Sequence, residues 1–320
     1  MRKSVLVTVL LALALSACGS SGGVTTSQSK SSAGDPATDH LAEILARGTL
    51  VLSTDPGYPP QSFAVKDAQR LTNTKCAENQ MTGNQIAGYD AGVGKLVAKA
   101  LGVEPCFVVP TWTEITGGNW GDRWDIAYGS GAINSDRMPR LWMTTPYRAE
   151  PQRYFVRVSS PYHSPSQLDG KSIGVCNSCT VEFYLQSHLA IPQVSTPLDV
   201  KNAKIVTYES EPPGLLAASQ GKIDAYLSAA GEGEQAIRQG EKLRPLPGAA
   251  FTMDDTGFLD KSSSRSQKAF AERVDQIVTH LIETGQLKTL SLKYFGQDYA
   301  AAGLKYNLAG LHQNIPGTSN

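Results

Sequence analysis

Residues 124–147 read WDIAYGSGAINSDRMPRLWMTTPY. Asp125-Ile126-Ala127-Tyr128 has the character of the end of a short buried strand. Gly129, Ser130 and Gly131 follow, small residues past which backbone can approach a ligand closely. Asn134 and Ser135 are good N-cap residues, and Arg137 falls in the first turn of the helix they would start. A strand end, a glycine-rich bend and a helix start form a usual ligand position in an open α/β sheet. An arginine there offers a planar fork that binds a carboxylate through two charge-assisted hydrogen bonds. The competing reading pairs Arg137 with an acid such as Asp136 or Glu150.

The stretch resembles the family 3 solute-binding proteins of bacterial ABC importers. Their pattern is an Asp, a small-residue bend, Thr-x-x-Arg, then Phe-Ser-x-Pro-Tyr. Here Asp125 is the Asp, Arg137 the Arg, Asn134 stands at the Thr, and Thr144-Thr145-Pro146-Tyr147 is the last element. The same resemblance runs through GTLVLSTDPGYPPQSF (48–63), GYDAGVGKLVAKALGV (88–103), LDGKSIGVCNSCTVEFYL (168–185), GKIDAYL (221–227) and LSLKYFG (290–296). It covers roughly residues 45–296 in the family's order. It implies an α/β fold, a two-lobed periplasmic-binding-protein-like clamshell with two crossover hinge strands. Lobe one would comprise 39–153 plus 250–296, lobe two 154–249, and residues 297–320 a C-terminal extension. The implied partners are a small-molecule ligand and the transmembrane subunits of an ABC permease, with no cofactor and a monomeric receptor.

Composition is compatible with this. A chain of 320 residues is long enough for two domains with cores of their own, and 41% hydrophobic with 18% charged residues suits a globular body. There are 29 basic and 29 acidic residues; without Arg2 and Lys3 the balance is 27 against 29, or −2. No local cluster of Lys and Arg provides a face for nucleic acid.

Residues 1–18 read as a targeting segment. Arg2-Lys3 is a positive start, and Val5 to Leu15 is an apolar run too short to span a bilayer comfortably. Leu15-Ser16-Ala17-Cys18 resembles the lipobox of bacterial lipoproteins, which implies cleavage before Cys18 and lipidation of its thiol. An ordinary secretory signal with an accidental Cys is the alternative. Residues 19–38, GSSGGVTTSQSKSSAGDPAT, have almost nothing to bury and read as a flexible tether reaching about 25 Å. The expected location is the outer face of the bacterial membrane, held by a lipid anchor.

Four further cysteines remain. An even count in an exported chain points to disulfides, with Cys176 and Cys179 paired locally and Cys76 with Cys106 closing a longer loop. The rival for CNSC is half a zinc site or a redox motif. No second CxxC or CxxH accompanies it, and the five His residues are scattered, so no metal site is expected.

Candidate ligand residues follow strand ends. TLVLSTD (49–55) reads as a buried strand, after which Pro56-Gly57-Tyr58-Pro59-Pro60 forms a stiff loop aiming Tyr58 outward. Trp112 follows the strand 103–110. Both aromatics could instead fold onto the core; the resemblance places them as walls around the ligand. In the second lobe, Ser178, Cys179 and Thr180 stand where the family has Gly-Thr-Thr, before a helix expected over 181–189. Its N-terminus would help hold an anionic group; a simple cap is the other reading of Thr180. PQRYFVRV (151–158) and LRPLPGAAF (243–251) read as the two crossovers.

Three positions depart from the family. Ser130 and Ala132 replace its Gly and Thr, which removes one hydroxyl beside Arg137. Gly92 stands where a second acid follows Gly-Tyr-Asp. Family receptors for amino acids bind the ammonium with an Asp five residues after that of Gly-x-x-Asp-Ala, and counting from Asp224 lands on Ala229. A buried ammonium without an anionic partner costs several kcal/mol, roughly. Glu232, Glu234 or Asp55 could supply the charge, or the ligand has no amine. A carboxylate-bearing solute is the expectation. The alternatives are a ligand-sensing lipoprotein acting through a partner, and a cyclohexadienyl-dehydratase-like enzyme, which would need a general acid that Ala229 does not carry.

Overall fold

The structure, a computed structural model, describes residues 34–191 and 195–300. The targeting segment with Cys18, most of the tether and the end of the extension lie outside the described residues. Helix α1 (His40–Arg47) is capped by the Asp39 carboxylate, which accepts from the Ala42 N–H, and stopped by Gly48 at φ 74°. It feeds β1 (Thr49–Ser53), buried along its whole length. A small antiparallel sheet is formed by β2 (Gly57–Tyr58), β3 (Ser62–Ala64) and, after β4 (Met81–Thr82), by β5 (Ile86–Ala87). Then come α2 (Tyr89–Leu101), β6 (Glu104–Val108), α3 (Trp112–Gly117), β7 (Ile126–Ala132), β8 (Leu141–Met143) and the long β9 (Arg148–Arg157). The next segment holds β10 (Ser172–Cys176), α4 (Thr180–Leu185), β11 (Lys204–Tyr208), α5 (Glu211–Ser219), β12 (Ala225–Ala229), α6 (Ala230–Arg238) and β13 (Leu243–Pro245). The second long strand, β14 (Phe251–Asp260), leads to α7 (Lys268–Glu283) and α8 (Gln286–Phe295).

The main sheet runs β11-β10-β12-β9-β14-β7-β1-β6-β4, with β13 added to β9 and β8 to β14. β1 is parallel to β6 and β7, and β10 is parallel to β11 and β12. The two parallel groups are joined by β9 and β14, which pair antiparallel from Phe251–Gln152 to Asp255–Arg148. Beyond that shared stretch each strand serves one group: β9 pairs with β12, and β14 with β7. These are the two crossover strands, and the fold is the two-lobed α/β architecture.

Side-chain alternation explains why each lobe has helices on both faces of its strands. Leu50 and Leu52 pack with Val93, Val97, Phe270 and Val274 on one side of β1, while Val51 packs with Ile115, Trp120 and Phe258 on the other. In the second lobe Leu227 joins Ile173, Val175 and Tyr184, and its neighbour Tyr226 joins Phe155 and Leu215.

Several local expectations change. Gly129-Ser130-Gly131 is no bend but the interior of β7. The irregularity there is Ser130 at φ 56°, close to a register shift against β14 between Thr256 and Phe258. Gly131 is required for space: a Cβ would come 2.2 Å from the Phe258 ring. The helix expected from Asn134 is a single turn. Asn134 does cap it, its Oδ1 accepting from the Arg137 N–H at 3.0 Å. Pro139 then removes a backbone donor and disfavours helical backbone at Met138, so the chain turns into β8. Helix α4 stops at Leu185, shorter than expected. The return crossover is β14, beginning at Phe251, rather than the segment 243–251 as a whole.

Candidate functional site

The C-terminal ends of β1, β6, β10 and β11 converge on one cavity of about 50 Å³. Its walls include Asp55 and Tyr58 after β1, Trp112 at the start of α3, and Gly129 and Ser130 in β7. Opposite stand Cys176, Asn177, Cys179 and Thr180 between β10 and α4, and Glu209, Ser210 and Glu211 between β11 and α5. Gln152 of β9 and Met253 of β14 close the floor. Six of the nine ligand residues expected from sequence are therefore lining residues: Asp55, Tyr58, Trp112, Ser130, Cys179 and Thr180. Arg137, Ala132 and Ser178 lie directly behind that wall.

Arg137 is only 1% exposed. Its Nη1 donates to the Ala132 carbonyl at 3.3 Å and to Thr180 Oγ1 at 3.2 Å, and its Nη2 donates to the Ser178 carbonyl at 3.2 Å. Its Nε finds no acceptor among the described residues. The guanidinium carbon lies 5.1 Å from the Trp112 ring centre and 5.8 Å from that of Phe258. Among the described residues no carboxylate bonds it, and burial pulls its pKa down to about 10. The sequence alternatives for a partner are excluded geometrically: Asp136 bonds Arg140, and Glu150 bonds Arg148. Trp112 Nε1 donates to the same Ser178 carbonyl at 3.2 Å, so one second-lobe oxygen receives both first-lobe groups.

Both disulfides form, Cys76–Cys106 and Cys176–Cys179. The first ties the 64–87 insertion to β6. The second constrains the loop carrying Ser178, which stands at φ 58°. Just ahead of α4, the Ser178 N–H donates to Glu182 Oε2 at 2.6 Å.

The acids are distributed in a way the sequence did not reveal. Glu232 is buried but faces away from this cavity, and Glu234 is half-buried outside its wall. Asp55 is in the wall, its Oδ1 accepting from the Gly57 N–H at 2.9 Å, and burial raises its pKa. Glu209 and Glu211 were missed. Glu211 is 3% exposed, accepts from Ser228 Oγ at 2.8 Å, and is pushed up to about 7 by burial. Ser228 immediately precedes Ala229, but along β12 the two side chains point to opposite faces, so Glu211 reaches the strand one residue away from the position where the acid is absent. The available signal was Glu209-Ser210-Glu211 ahead of Pro212-Pro213, another strand end followed by a helix start.

Behind the floor lies a buried ionic network. Arg148 bonds Asp255 through Nε at 2.7 Å and Nη2 at 2.5 Å, pairs with Glu150 at 2.8 Å, and donates to Ser130 Oγ at 2.9 Å. Ser130 in turn donates to Asp90 Oδ2 at 2.7 Å. Glu150 accepts from the Gly231 N–H, linking β9 to the start of α6. Burial raises Asp90 to about 6 and Glu150 to about 7, against the lowering effect of Arg148. A further trio with metal-ligand chemistry, His40, Glu43 and Asp125, is bridged by the Arg47 guanidinium, so its carboxylates already hold a cation.

The family model for bacterial extracellular solute-binding proteins, family 3, matches residues 50–297. The L-cystine-binding protein TcyJ of Escherichia coli (strain K12) is 23% identical over 261 residues, 81% of this chain and 86% of that protein. The L-cystine-binding protein TcyA of Bacillus subtilis (strain 168) is 24% identical over 309 residues, 92% and 98% of the two chains. Among solved structures, the ancestral amino-acid-binding protein AncCDT-1, described as a precursor of cyclohexadienyl dehydratase, superposes with a TM-score of 0.65. It is 22% identical, covering 80% of this chain and all of that one, a likeness of fold.

Proposed function

This chain belongs to the bacterial extracellular solute-binding proteins, family 3, and from that premise we propose that it is the receptor of an ABC importer for a small solute carrying a carboxylate and an amine. One observation carries the reading: a fully buried arginine, bonded by no carboxylate among the described residues, stands behind the wall of a cavity that is also lined by Asp55, Glu209 and Glu211. The Arg137 fork and the Thr180 hydroxyl take the carboxylate, and Tyr58 and Trp112 pack on the body. Glu211, bonded to Ser228, takes the ammonium in place of the missing acid, with Asp55 as its neighbour. Closure and release run through the paired strands β9 and β14, whose two ends belong to different lobes. Relatives whose names specify L-cystine support an amino-acid ligand. The lobes divide at 39–153 plus 250–296 and 154–249, and the receptor works as a monomer.

Anchoring belongs to the same proposal. No helix among the described residues is long and apolar enough to cross a membrane. Lipidated Cys18 and the tether after it hold the receptor at the extracytoplasmic face. Cys18→Ser should release it from the membrane fraction; retention there would remove the anchor from the scheme.

The function is tested by thermal-shift screening against amino acids, amines and small organic acids, followed by calorimetry. A ligand at a hundred times its Kd adds about 2.7 kcal/mol of stability. Hits among α-amino acids are expected. Hits only among amine-free carboxylates would overturn the role of Glu211. A second reading, a dehydratase-like enzyme, is favoured by one observation: Glu211 is a protonatable acid in the cleft with a pKa of about 7. No turnover of prephenate or arogenate is expected, because the ammonium of arogenate would ionise Glu211 and Ala229 supplies no proton for either.

A further inference from the structure

Glu232, in the first turn of α6, is 1% exposed, and neither of its carboxylate oxygens finds a hydrogen-bond partner on another described residue. It lines a small cavity of about 60 Å³ at the seam of the lobes, distinct from the ligand cavity. Lobe two builds most of that cavity, from Glu211 and Pro212 of α5 and Gln235 of α6, and Pro59 of lobe one closes it. The loop carrying Pro59 touches lobe two directly: a Cβ on Gly57 would lie 3.9 Å from Ser210 Cβ. The residue before Glu232 is held between the hinge and lobe one. The Gly231 N–H donates to Glu150 of β9, and a Cβ on Gly231 would come 2.7 Å from the Phe295 ring of α8. Rotation of the lobes about β9 and β14 therefore draws Pro59 and Phe295 away from α6 and lets water reach Glu232.

A carboxyl without water or donors is held as the neutral acid. Burial first and the Glu150 charge second push Glu232 well above the usual carboxylate range; Arg148 opposes them and Glu211 adds to them. Arg148 is itself bonded by Asp255 and Glu150. Tyr58, Tyr226 and Tyr299 lie within the field of Glu232, Glu241 lines the same cavity, and Glu234 follows on the same helix. On β13, Arg244 is turned to the Ser160 and Tyr162 carbonyls.

We propose that Glu232 is a proton-linked switch of lobe closure: the lobes shut over its neutral form and part when it ionises. This rests on the receptor reading above, in which closure runs through β9 and β14. Closing moves the acid from water to a place that keeps its proton, so closure takes up a proton and the closed state gains as pH falls. Above the range of a hydrated carboxyl, the closed-to-open ratio falls by up to about tenfold per unit of pH, until Glu232 ionises in the closed state as well.

The test is small-angle X-ray scattering of the full chain without ligand, between about pH 5 and pH 8. The radius of gyration of the wild type should rise with pH as the open state gains. Glu232→Gln keeps the side-chain shape and cannot ionise; Glu150, Glu211 and Arg148 remain, so their titration is common to both proteins. That variant should stay compact across the range. Glu232→Ala, which also cannot ionise, should do the same and serves if Glu232→Gln does not fold. An equal rise in wild type and variant overturns the switch, and so does a wild type whose dimensions do not change. The scattering needs no ligand, so the two readings fail separately. A chain that no α-amino acid stabilises in the thermal screen loses the receptor reading, whereas a chain that binds one but shows no Glu232-dependent expansion loses only the switch.

Discussion

Arg137 Nη1 stands 3.2 Å from Thr180 Oγ1, joining the turn after β7 to the first residue of α4 across the two lobes. The contact makes Arg137 both the candidate carboxylate clamp and part of the seam between lobes. Truncating one side of a buried charged hydrogen-bond pair costs about 2–5 kcal/mol. Arg137→Ala should therefore weaken ligand binding thirtyfold or more by calorimetry. Arg137→Met should lose affinity similarly while keeping its melting temperature within a few degrees, since burial already disfavours this cation. Unchanged affinity in either variant would remove Arg137 from the site.

Glu211 and Glu150 both titrate near 7 in the fold, raised by burial from 4.5. A carboxyl whose folded pKa is raised binds its proton more tightly when folded. Its contribution is fully present below pH 4.5 and is lost as pH rises through about 7. The ligand-free protein should thus melt higher at pH 5 than at pH 8, with Glu211 accounting for at most about 3 kcal/mol of the difference. Asp55, Glu232, Tyr226 and Ser228 face this carboxylate, and they remain in Glu211→Gln. That variant should flatten the profile. A profile as steep as the wild type's would show that Glu211 is ionised without cost.

The two disulfides should separate stability from binding. Cys76–Cys106 spans 30 residues and is worth about 3–4 kcal/mol in the chain-entropy model, whereas Cys176–Cys179 spans 3 and is worth about 2. Cys76→Ser with Cys106→Ser should lower the melting temperature by several degrees and leave Kd unaltered. Cys176→Ser with Cys179→Ser should cost less stability yet weaken binding, because this pair lies in the cavity wall and steadies the Ser178 carbonyl. Equal effects of the two double variants on Kd would contradict this division.

Arg148→Met should be the most destabilising of these changes. It would leave Asp255 and Glu150 buried without their cation, at about 3–5 kcal/mol by analogy with other broken buried pairs. Urea denaturation at pH 7.5 would read this as a lowered midpoint. Lowering the pH to 5.5 should recover part of it, since Glu150 then takes up a proton.

Much of the cavity lining was legible because its residues follow strand ends, and strand ends are marked by apolar runs meeting Gly, Pro or capping residues. Asp55, Tyr58, Trp112, Cys179 and Thr180 were reached that way. Glu211 obeys the same grammar, but Glu232 and Glu234 lie closer in sequence to Ala229, and sequence distance alone favours them. Its relevance comes from the Ser228 hydrogen bond, a contact between residues 17 positions apart. The expected helix after Asn134 failed for a local reason, Pro139. The small-residue bend failed for a long-range one: β14 pairs alongside Gly129-Ser130-Gly131 and draws them into the sheet.

By itself, the amino-acid sequence determined the class of the molecule: parallel strands with helices between them, two crossovers, the cysteine pairs, and an arginine at a strand-end turn. Periodicity, capping and turn chemistry act over a few residues, so they can be read along the chain. Tertiary structure alone decided which charges meet. It left Arg137 without a carboxylate hydrogen bond among the described residues, gave Glu150 to Arg148, and set Glu211 rather than Glu232 in the cavity wall. The partner of a buried charge is chosen by whichever element packs against it, and sequence spacing carries no record of that choice.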